Sequence, residues 1–344
     1  MQTKITVFHA PAQGLQALPD RSVDLVVTSP PYPMVGMWDE CFAGQDPMIG
    51  KALSSGDAAE AFSRMHAILD QVWAACTRVL VEGGFACINI ADATRTFDGH
   101  FRLFPNHARV IRAFEALNCT VLPDIHWRKP SNSPNKFMGS GMYPAGAYIT
   151  YEHEYILIFR KGGKRTFRKG DVLRRRESAY FWEERNRWFS DLWEINGTAQ
   201  PMEGVSSRSR SAAFPAEIPW RIVQMYSLYG DTVLDPFAGL GTTGLVCSAA
   251  GRNAVLYDID GTLCQQAKTT LLGSRERSNG LLRERRARHE AFIQGLTDEE
   301  RQRCYKNRNH PFLVKTQQER DIRLYRVAAV REENGEILTE YVPD

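Results

Sequence analysis

Two short stretches hold residues suited to chemistry. The first, Thr28-Ser29-Pro30-Pro31-Tyr32, follows the apolar run Val23-Asp24-Leu25-Val26-Val27. That run is short and β-branched, as in a strand covered on both faces of a parallel sheet. Pro30 and Pro31 have a fixed φ and no N–H, so the ladder must stop there and leave as rigid, extended backbone. In open α/β sheets, ligands sit beyond the carboxyl ends of the strands. A hydroxyl and a proline carbonyl held at such an exit can each accept a hydrogen bond, with the Tyr32 ring beside them. The plain alternative is a proline turn carrying a surface tyrosine.

The second stretch, DTVLDPFAGLGTTGLVCSAAG over residues 231–251, reads as strand, glycine loop and helix. Gly239, Gly241 and Gly244 satisfy G-x-G-x-x-G, and Asp258 ends the next strand-like run, AVLYD. Glycines let backbone approach a ligand closely, and the acid can accept hydrogen bonds from two ribose hydroxyls. A nicotinamide dinucleotide and S-adenosyl-L-methionine compete for this pattern. Asp235, at the strand end before the glycines, would repel a pyrophosphate and suits a cofactor with an ammonium and a sulfonium. S-adenosyl-L-methionine is the expected cofactor.

The elements that position these stretches alternate between strand and helix, an α/β rhythm. Strands are predicted at 4–8, 23–28, 85–90, 121–127, 154–159, 232–234 and 254–257. A helix is predicted over Ala58 to Leu80, where Phe62, Met65, Leu69, Val72, Trp73 and Cys76 keep a 3.6-residue stripe before Gly83-Gly84. Two more are predicted over 105–117 and over 218–229, the latter closed by Gly230. A chain of 344 residues can bury one large core, and 43% hydrophobic with 24% charged residues fits a packed enzyme. No apolar run is long enough for a membrane span, so a cytoplasmic location is expected. The seven cysteines form no C-x-x-C pair, which argues against a disulfide framework and a structural zinc site.

Three stretches depart from this rhythm. Residues 33–57 read as a long surface loop after the proline exit, and 128–147, rich in Pro, Gly, Ser and Asn, read as another beside the same site. Between Arg160 and Arg187 stand eleven Lys/Arg against four acids, a concentration that the overall charge of +3 conceals. Phe167, Tyr180, Phe181, Trp182, Trp188, Phe189 and Trp193 lie among or beside these cations, the pattern expected where a phosphate backbone is held and bases stack. Lys161, Lys164, Arg165, Arg168, Lys169, Arg174, Arg175 and Arg176 are the candidate nucleic-acid contacts. The plain alternative is a solvated basic face. Residues 274–344 read as a charged, helical accessory extension.

Together the motifs resemble the DNA amino-methyltransferases, most closely the cytosine-N4 type. Their catalytic motif is similar to Thr28-Ser29-Pro30-Pro31-Tyr32, and their cofactor motif to Asp235-Pro236-Phe237-Ala238-Gly239-Leu240-Gly241-Thr242-Thr243. The catalytic motif comes first by about two hundred residues, as in the circularly permuted beta arrangement. Residues 211–215 (Ser-Ala-Ala-Phe-Pro) resemble the segment that packs around the methionine part. The resemblance covers about residues 4–270. It implies a Rossmann-like, mostly parallel seven-stranded sheet, with 1–160 as the catalytic half, 161–210 as the target-recognition region, 211–273 as the cofactor half and 274–344 as the extension. Thr28, Phe214, Pro215, Asp235, Phe237, Gly239, Gly241, Thr242, Thr243 and Asp258 would bind the cofactor. Two positions depart from the family: His9-Ala10 stands where an adenine-contacting acid is usual, with Gln13 a candidate substitute, and Arg210 stands where a histidine is common.

In that reading the target is the exocyclic amine of a cytosine rotated out of duplex DNA. Its lone pair is delocalised into the ring, and Ser29 Oγ and the Pro30 carbonyl would accept its two protons and localise the pair. Tyr32 would be the stacking platform. Trp127, at another strand end, would line the other side of the base or simply cap the sheet. Duplex DNA and a cognate restriction endonuclease are the expected partners, with the protein acting as a monomer or dimer. Adenine N6 methylation is the alternative chemistry, and an inactive DNA-binding regulator the alternative class.

Overall fold

The structure is a computed structural model that describes residues 1–97, 99–129, 140–197 and 214–344. The first half supplies β1 (Gln2–His9), β2 (Val23–Thr28), α1 (Asp39–Gln45), α2 (Pro47–Ser54), α3 (Ala58–Val79) and β3 (Leu80–Ile90). A hairpin of β4 (Ala93–Phe97) and β5 (His100–Phe104) follows, then α4 (Asn106–Ala116), β6 (Cys119–Arg128) and β7 (His153–Lys161). Next come α5 (Asp171–Glu177), α6 (Trp182–Trp188), β8 (Leu192–Glu194), α7 (Glu217–Tyr226), β9 (Thr232–Asp235), α8 (Thr242–Ala250), β10 (Asn253–Asp258) and α9 (Gly261–Leu272). The C-terminal part holds α10 (Arg275–Gln294), α11 (Asp298–Gln302), the short pair β11 (Tyr305–Lys306) and β12 (Leu313–Val314), and a hairpin of β13 (Tyr325–Glu333) and β14 (Glu336–Pro343).

All seven expected strands form, and they lie side by side in the order β1-β10-β9-β2-β3-β7-β6. β1, β10, β9, β2 and β3 run parallel, while β7 is antiparallel to both β3 and β6. The sheet is wider than the seven strands expected: β14 and β13 extend it beyond β1, and β8 beyond β6, giving ten strands. Residues of a central strand alternate between two apolar layers, because successive side chains point to opposite faces. Val26 joins the core under α3 and α4, whereas Leu25 and Val27 join the core under α7 and α8. This double covering explains why β2 carries no outward polar stripe.

Three local expectations change. Residues 33–57 are not a structureless loop: they fold into α1 and α2, the latter capped by Asp46, whose carboxylate accepts from Met48 N. Gly83-Gly84 does not end α3. The helix ends at Val79, β3 begins at once, and both glycines lie inside the strand. Gly83 has φ +77°, and a Cβ there would stand 2.4 Å from the Arg165 backbone, so the crossing of residue 165 over the strand requires glycine. Residues 274–344 are no separate helical appendage either. α10 packs on α8 and β13, its buried Arg285 pairs with Glu184 of α6 through two 2.8 Å bonds, and β14 pairs with β1, leaving β13 at the sheet edge.

The start of the parallel strands is tied by charge. Arg165 reaches Asp231, just before β9, at 2.6 and 3.0 Å, and Asp24 of β2 at 3.1 Å. Arg174 adds a third contact to Asp231 at 3.3 Å. Breaking a largely buried pair leaves an uncompensated charge, at a cost of roughly 3–5 kcal/mol. Arg165→Met is therefore expected to lower unfolding free energy in urea by about 3 kcal/mol; an unchanged midpoint would show that this clamp does not support the sheet.

Candidate active site

β2 ends at Thr28, and Ser29-Pro30-Pro31-Tyr32 turns away beyond the carboxyl edge of the sheet. The turn is held from behind by Asn106, fully buried at the start of α4. Its Nδ2 donates to the Pro33 carbonyl at 3.0 Å and to the Ala91 carbonyl at 2.9 Å, stapling the corner to the end of β3. His66 of α3 donates from Nε2 to Asn106 Oδ1 at 3.0 Å. Burial lowers His66 to about 3, so it stays neutral in this role.

The corner's polar atoms converge. Tyr32 O–H donates to Glu154 Oε2 at 2.8 Å, and Ser29 Oγ lies 2.9 Å from the same phenolic oxygen. Asn89 Nδ2, from the end of β3, lies 2.8 Å from Tyr32 Oη, 2.7 Å from Glu154 Oε2 and 3.3 Å from Ser29 Oγ. Lys129 pairs with the other oxygen of Glu154 and sits 4.4 Å from the centre of the Trp127 ring. Glu154 is 7% exposed, so its charge is buried but paired. Burial, with the Glu154 charge second, pushes the Tyr32 phenol well above its usual range, keeping it a donor.

An ionised carboxylate only accepts, so the Tyr32 hydroxyl hydrogen lies on the Glu154 side. Tyr32 Oη is then an acceptor, within reach of both Asn89 Nδ2 and the Ser29 hydroxyl.

The second motif lies one hydrogen bond away. Asp235 ends β9, 1% exposed, and its two oxygens accept from Thr28 Oγ1 and Thr243 Oγ1, each at 2.6 Å, with Phe237 N at 3.1 Å. Asp235 thus joins the residue preceding Ser29 to the first turn of α8. Gly241 caps α8 with φ +79°, and a Cβ there would meet Ala267 of α9 at 3.0 Å. On β10, Asp258 accepts from Gly239 N at 2.8 Å and Asp260 N at 2.9 Å, and burial raises its carboxyl.

These residues fit S-adenosyl-L-methionine. A Cβ built at Gly239 has no neighbour within 4 Å, so the loop borders open space where backbone can approach a ligand. Asp258 lies at the rim of that space, as a ribose acceptor would. Phe237 packs edge-on against Trp73, Thr242 opens α8, and Phe214 and Pro215 are buried just before α7. Residues 211–213 and Arg210 lie outside the described residues. At the departures from the family motif, His9 Nε2 lies 3.2 Å from the Ile259 carbonyl and Gln13 donates to Gln45 of α1 at 2.6 Å.

Residues 160–176 of the basic stretch are not at this edge, whereas α6 and β8 lead back toward it, Leu192 pairing with His126 near the end of β6. Because β7 runs antiparallel to β3, the chain at Lys161 has returned to the edge where β2 and β9 begin, away from Ser29. Lys161 Nζ lies within 2.6–3.3 Å of the carbonyls of Thr77, Arg78 and Leu80, closing the end of α3. Arg165 and Arg174 are spent on Asp24 and Asp231. Lys164, Arg168, Lys169, Arg175 and Arg176 are exposed, but at the far edge. Trp127, 2% exposed, donates from Nε1 to the Ile195 carbonyl at 2.9 Å and is a core residue, not a base contact. Sequence reasoning missed Asn89, Asn106, Lys129 and Glu154. The signal available was a polar residue inside each apolar strand run, CINI and EYILIF, which strand reading treats as noise.

Residues 23–269 match the family described as DNA methylase. The chain belongs to that family. The methylase is 44% identical over 328 residues, 94% of its own length and 91% of the relative's, to the Type II methyltransferase M.MthZI of Methanothermobacter thermautotrophicus. It is 47% identical over 272 residues, covering 76% and 89% of the two chains, to the Type II methyltransferase M.MjaI of Methanocaldococcus jannaschii. Among solved structures, it resembles a candidate DNA modification methylase of Thermus thermophilus complexed with S-adenosyl-L-methionine, with a TM-score of 0.61, 31% identity, and coverage of 78% of this chain and 93% of that one. The methylase is accordingly a DNA amino-methyltransferase, and its cofactor is S-adenosyl-L-methionine. Among the described residues no helix is long and apolar enough to cross a membrane.

Asp235 gives a pH signature. Burial raises its carboxyl from 3.8 to about 6. The folded chain then holds this proton more tightly than the unfolded chain, so the group's contribution to stability falls as pH rises from about 4 to about 6. Asp235→Asn removes that dependence. Relative to the parent, its unfolding free energy should rise by up to roughly 3 kcal/mol between pH 4 and pH 7. Parallel urea curves at both pH values would contradict the assignment.

Proposed function

We propose that the methylase transfers a methyl group to N4 of a cytosine rotated out of duplex DNA. The observation that carries this reading is the Ser29 hydroxyl, oriented by Tyr32 and Glu154, standing one residue from the Thr28–Asp235 link to the cofactor loop. When bound, S-adenosyl-L-methionine supplies an electrophilic methyl on a sulfonium. The chain's own task is to make an aromatic amine nucleophilic. Ser29 Oγ and the Pro30 carbonyl accept hydrogen bonds from the two amino hydrogens, draw the nitrogen toward tetrahedral geometry and aim its lone pair at the cofactor side; once the nitrogen gains the methyl group, one of these protons is released to water. Pro30 and Pro31 hold those acceptors without reorganisation. Asp258 receives the ribose, the glycine loop admits the cofactor backbone, and Asp235 fixes the spacing between the halves.

The choice of cytosine rests on Ser29 at the first position of the motif, the residue of the cytosine-N4 type. Base extrusion costs a few kcal/mol, and stacking on a ring recovers roughly 1–3 kcal/mol. Tyr32, anchored at its hydroxyl, offers such a ring. The duplex approaches the carboxyl edge, where the β4–β5 hairpin and the segment before β7 stand together, Phe101 stacked on Tyr148 with ring centres 4.6 Å apart. Met142, Tyr143 and Ile149 are highly exposed there and suit contacts with DNA. The recognition role expected for 161–210 is thereby assigned in part to 140–152; residues 198–210 lie outside the described residues. A Type II restriction endonuclease of the same specificity is the expected functional partner.

Mass analysis of nucleosides from methylated plasmid should give N4-methylcytosine, and methyladenosine alone would overturn the base assignment. Ser29→Ala should reduce kcat about 10²–10³-fold with cofactor Kd unchanged. Glu154→Gln replaces an obligate acceptor with a group that can donate to Tyr32 and turn the Ser29 hydrogen toward the site. Its kcat should fall roughly tenfold or more while the KM for cofactor holds; full activity would remove Glu154 from the orienting role.

A further inference from the structure

At the edge of the sheet opposite Ser29, a cleft of about 1370 Å³ opens between the 160–189 segment, the end of α7 and residues 308–321. Eight cationic side chains line it against two acids, Glu319 and Asp321. Those acids are already committed: Glu319 accepts from Trp182 N at 2.8 Å and from Thr316, and Asp321 from Arg308 at 2.6 Å. Arg160, Lys164, Arg175, Arg185 and Arg320 have no carboxylate partner among the described residues. Arg320 Nε is shielded from solvent and has no hydrogen-bond partner.

The aromatic lining is exposed as well. Trp182 is 39% and Phe189 42% exposed, on either end of α6, and Tyr180 packs against Phe189 with ring centres 5.3 Å apart. Arg175 lies over Phe167 at 4.4 Å, a guanidinium held flat on a ring. Small-molecule clefts occupy about 300–1,000 Å³, so this volume favours a polymer segment over one metabolite. A closed duplex would present phosphates to the cations and leave Trp182 and Phe189 facing water. Unpaired bases can use both, since every base has a face to stack and every linkage a charge.

We propose that this cleft, whose Phe85–Arg160 end lies at the edge of the sheet opposite Ser29, is a second nucleic-acid site that holds a single strand of DNA. Cations contact the backbone while Phe189 and Trp182 stack on bases. The site does not depend on which base is methylated.

The test uses the full chain and a fluorescent single-stranded oligonucleotide lacking the target base. Arg185→Glu with Phe189→Ala should weaken binding at least tenfold while methyl transfer to a short duplex and the melting temperature are unchanged. An abasic strand of equal length should bind at least tenfold more weakly than the parent strand. With three to five phosphates contacted, log K should fall against log salt with a slope of about −2 to −3.5. On the unmodified protein, a strand carrying 5-iododeoxyuridine should photocrosslink within residues 180–189. Crosslinks confined to residues 29–32 or 140–152, one-for-one displacement by a short substrate duplex, or equal binding of the abasic strand would each overturn the proposal. None of these results bears on whether cytosine is the methylated base.

Discussion

Thr28 and Thr243 place their hydroxyls on opposite oxygens of one buried carboxylate, Asp235, and the arrangement of the whole site depends on that bridge. One hydroxyl belongs to the strand that delivers Ser29, the other to the helix that follows the glycine loop. A carboxylate without solvent is costly unless its lone pairs are met, and here two hydroxyls and the Phe237 N–H meet three of the roughly four. The rise of its carboxyl to about 6 records the cost that remains. Two motifs about two hundred residues apart are thereby fixed at hydrogen-bond spacing.

The corner at Ser29 follows the same logic with the opposite emphasis, its hydroxyl lying at the end of a chain that runs through Tyr32 to Glu154. Tyr32 donates to one oxygen of the buried Glu154, and Lys129 pairs with the other. Asn89 and Asn106 tie the corner to the end of β3 through their Nδ2 groups, while Asn89 Oδ1 is buried with no partner among the described residues.

Topology separates two kinds of positive charge. Reversal of β7 carries the cationic stretch away from the catalytic edge, where part of it becomes structural: Lys161 caps α3, and Arg165 holds the first residues of two parallel strands. The rest faces the remote cleft with exposed aromatic rings. The catalytic edge instead presents a hairpin and a segment with exposed apolar side chains.

Much was legible in the chain alone. Seven strands could be placed because each is a short apolar run bounded by turn residues, and β2 was readable to the residue because prolines cannot continue a ladder. Ser29, Tyr32, Asp235 and Asp258 could be named as candidates from local spacing, but the bridge that Asp235 makes between Thr28 and Thr243 could not. The destination of Lys161, Arg165 and Trp127 was not, because local composition carries no information about which edge a strand reaches; that depends on the direction of β7. Glu154, Asn89 and Lys129 were hidden for a related reason: each acts only through a partner on another strand or at a strand end. Periodicity and motif determined the elements and the candidate reacting groups, whereas long-range pairing decided which charges support the fold and which remain exposed.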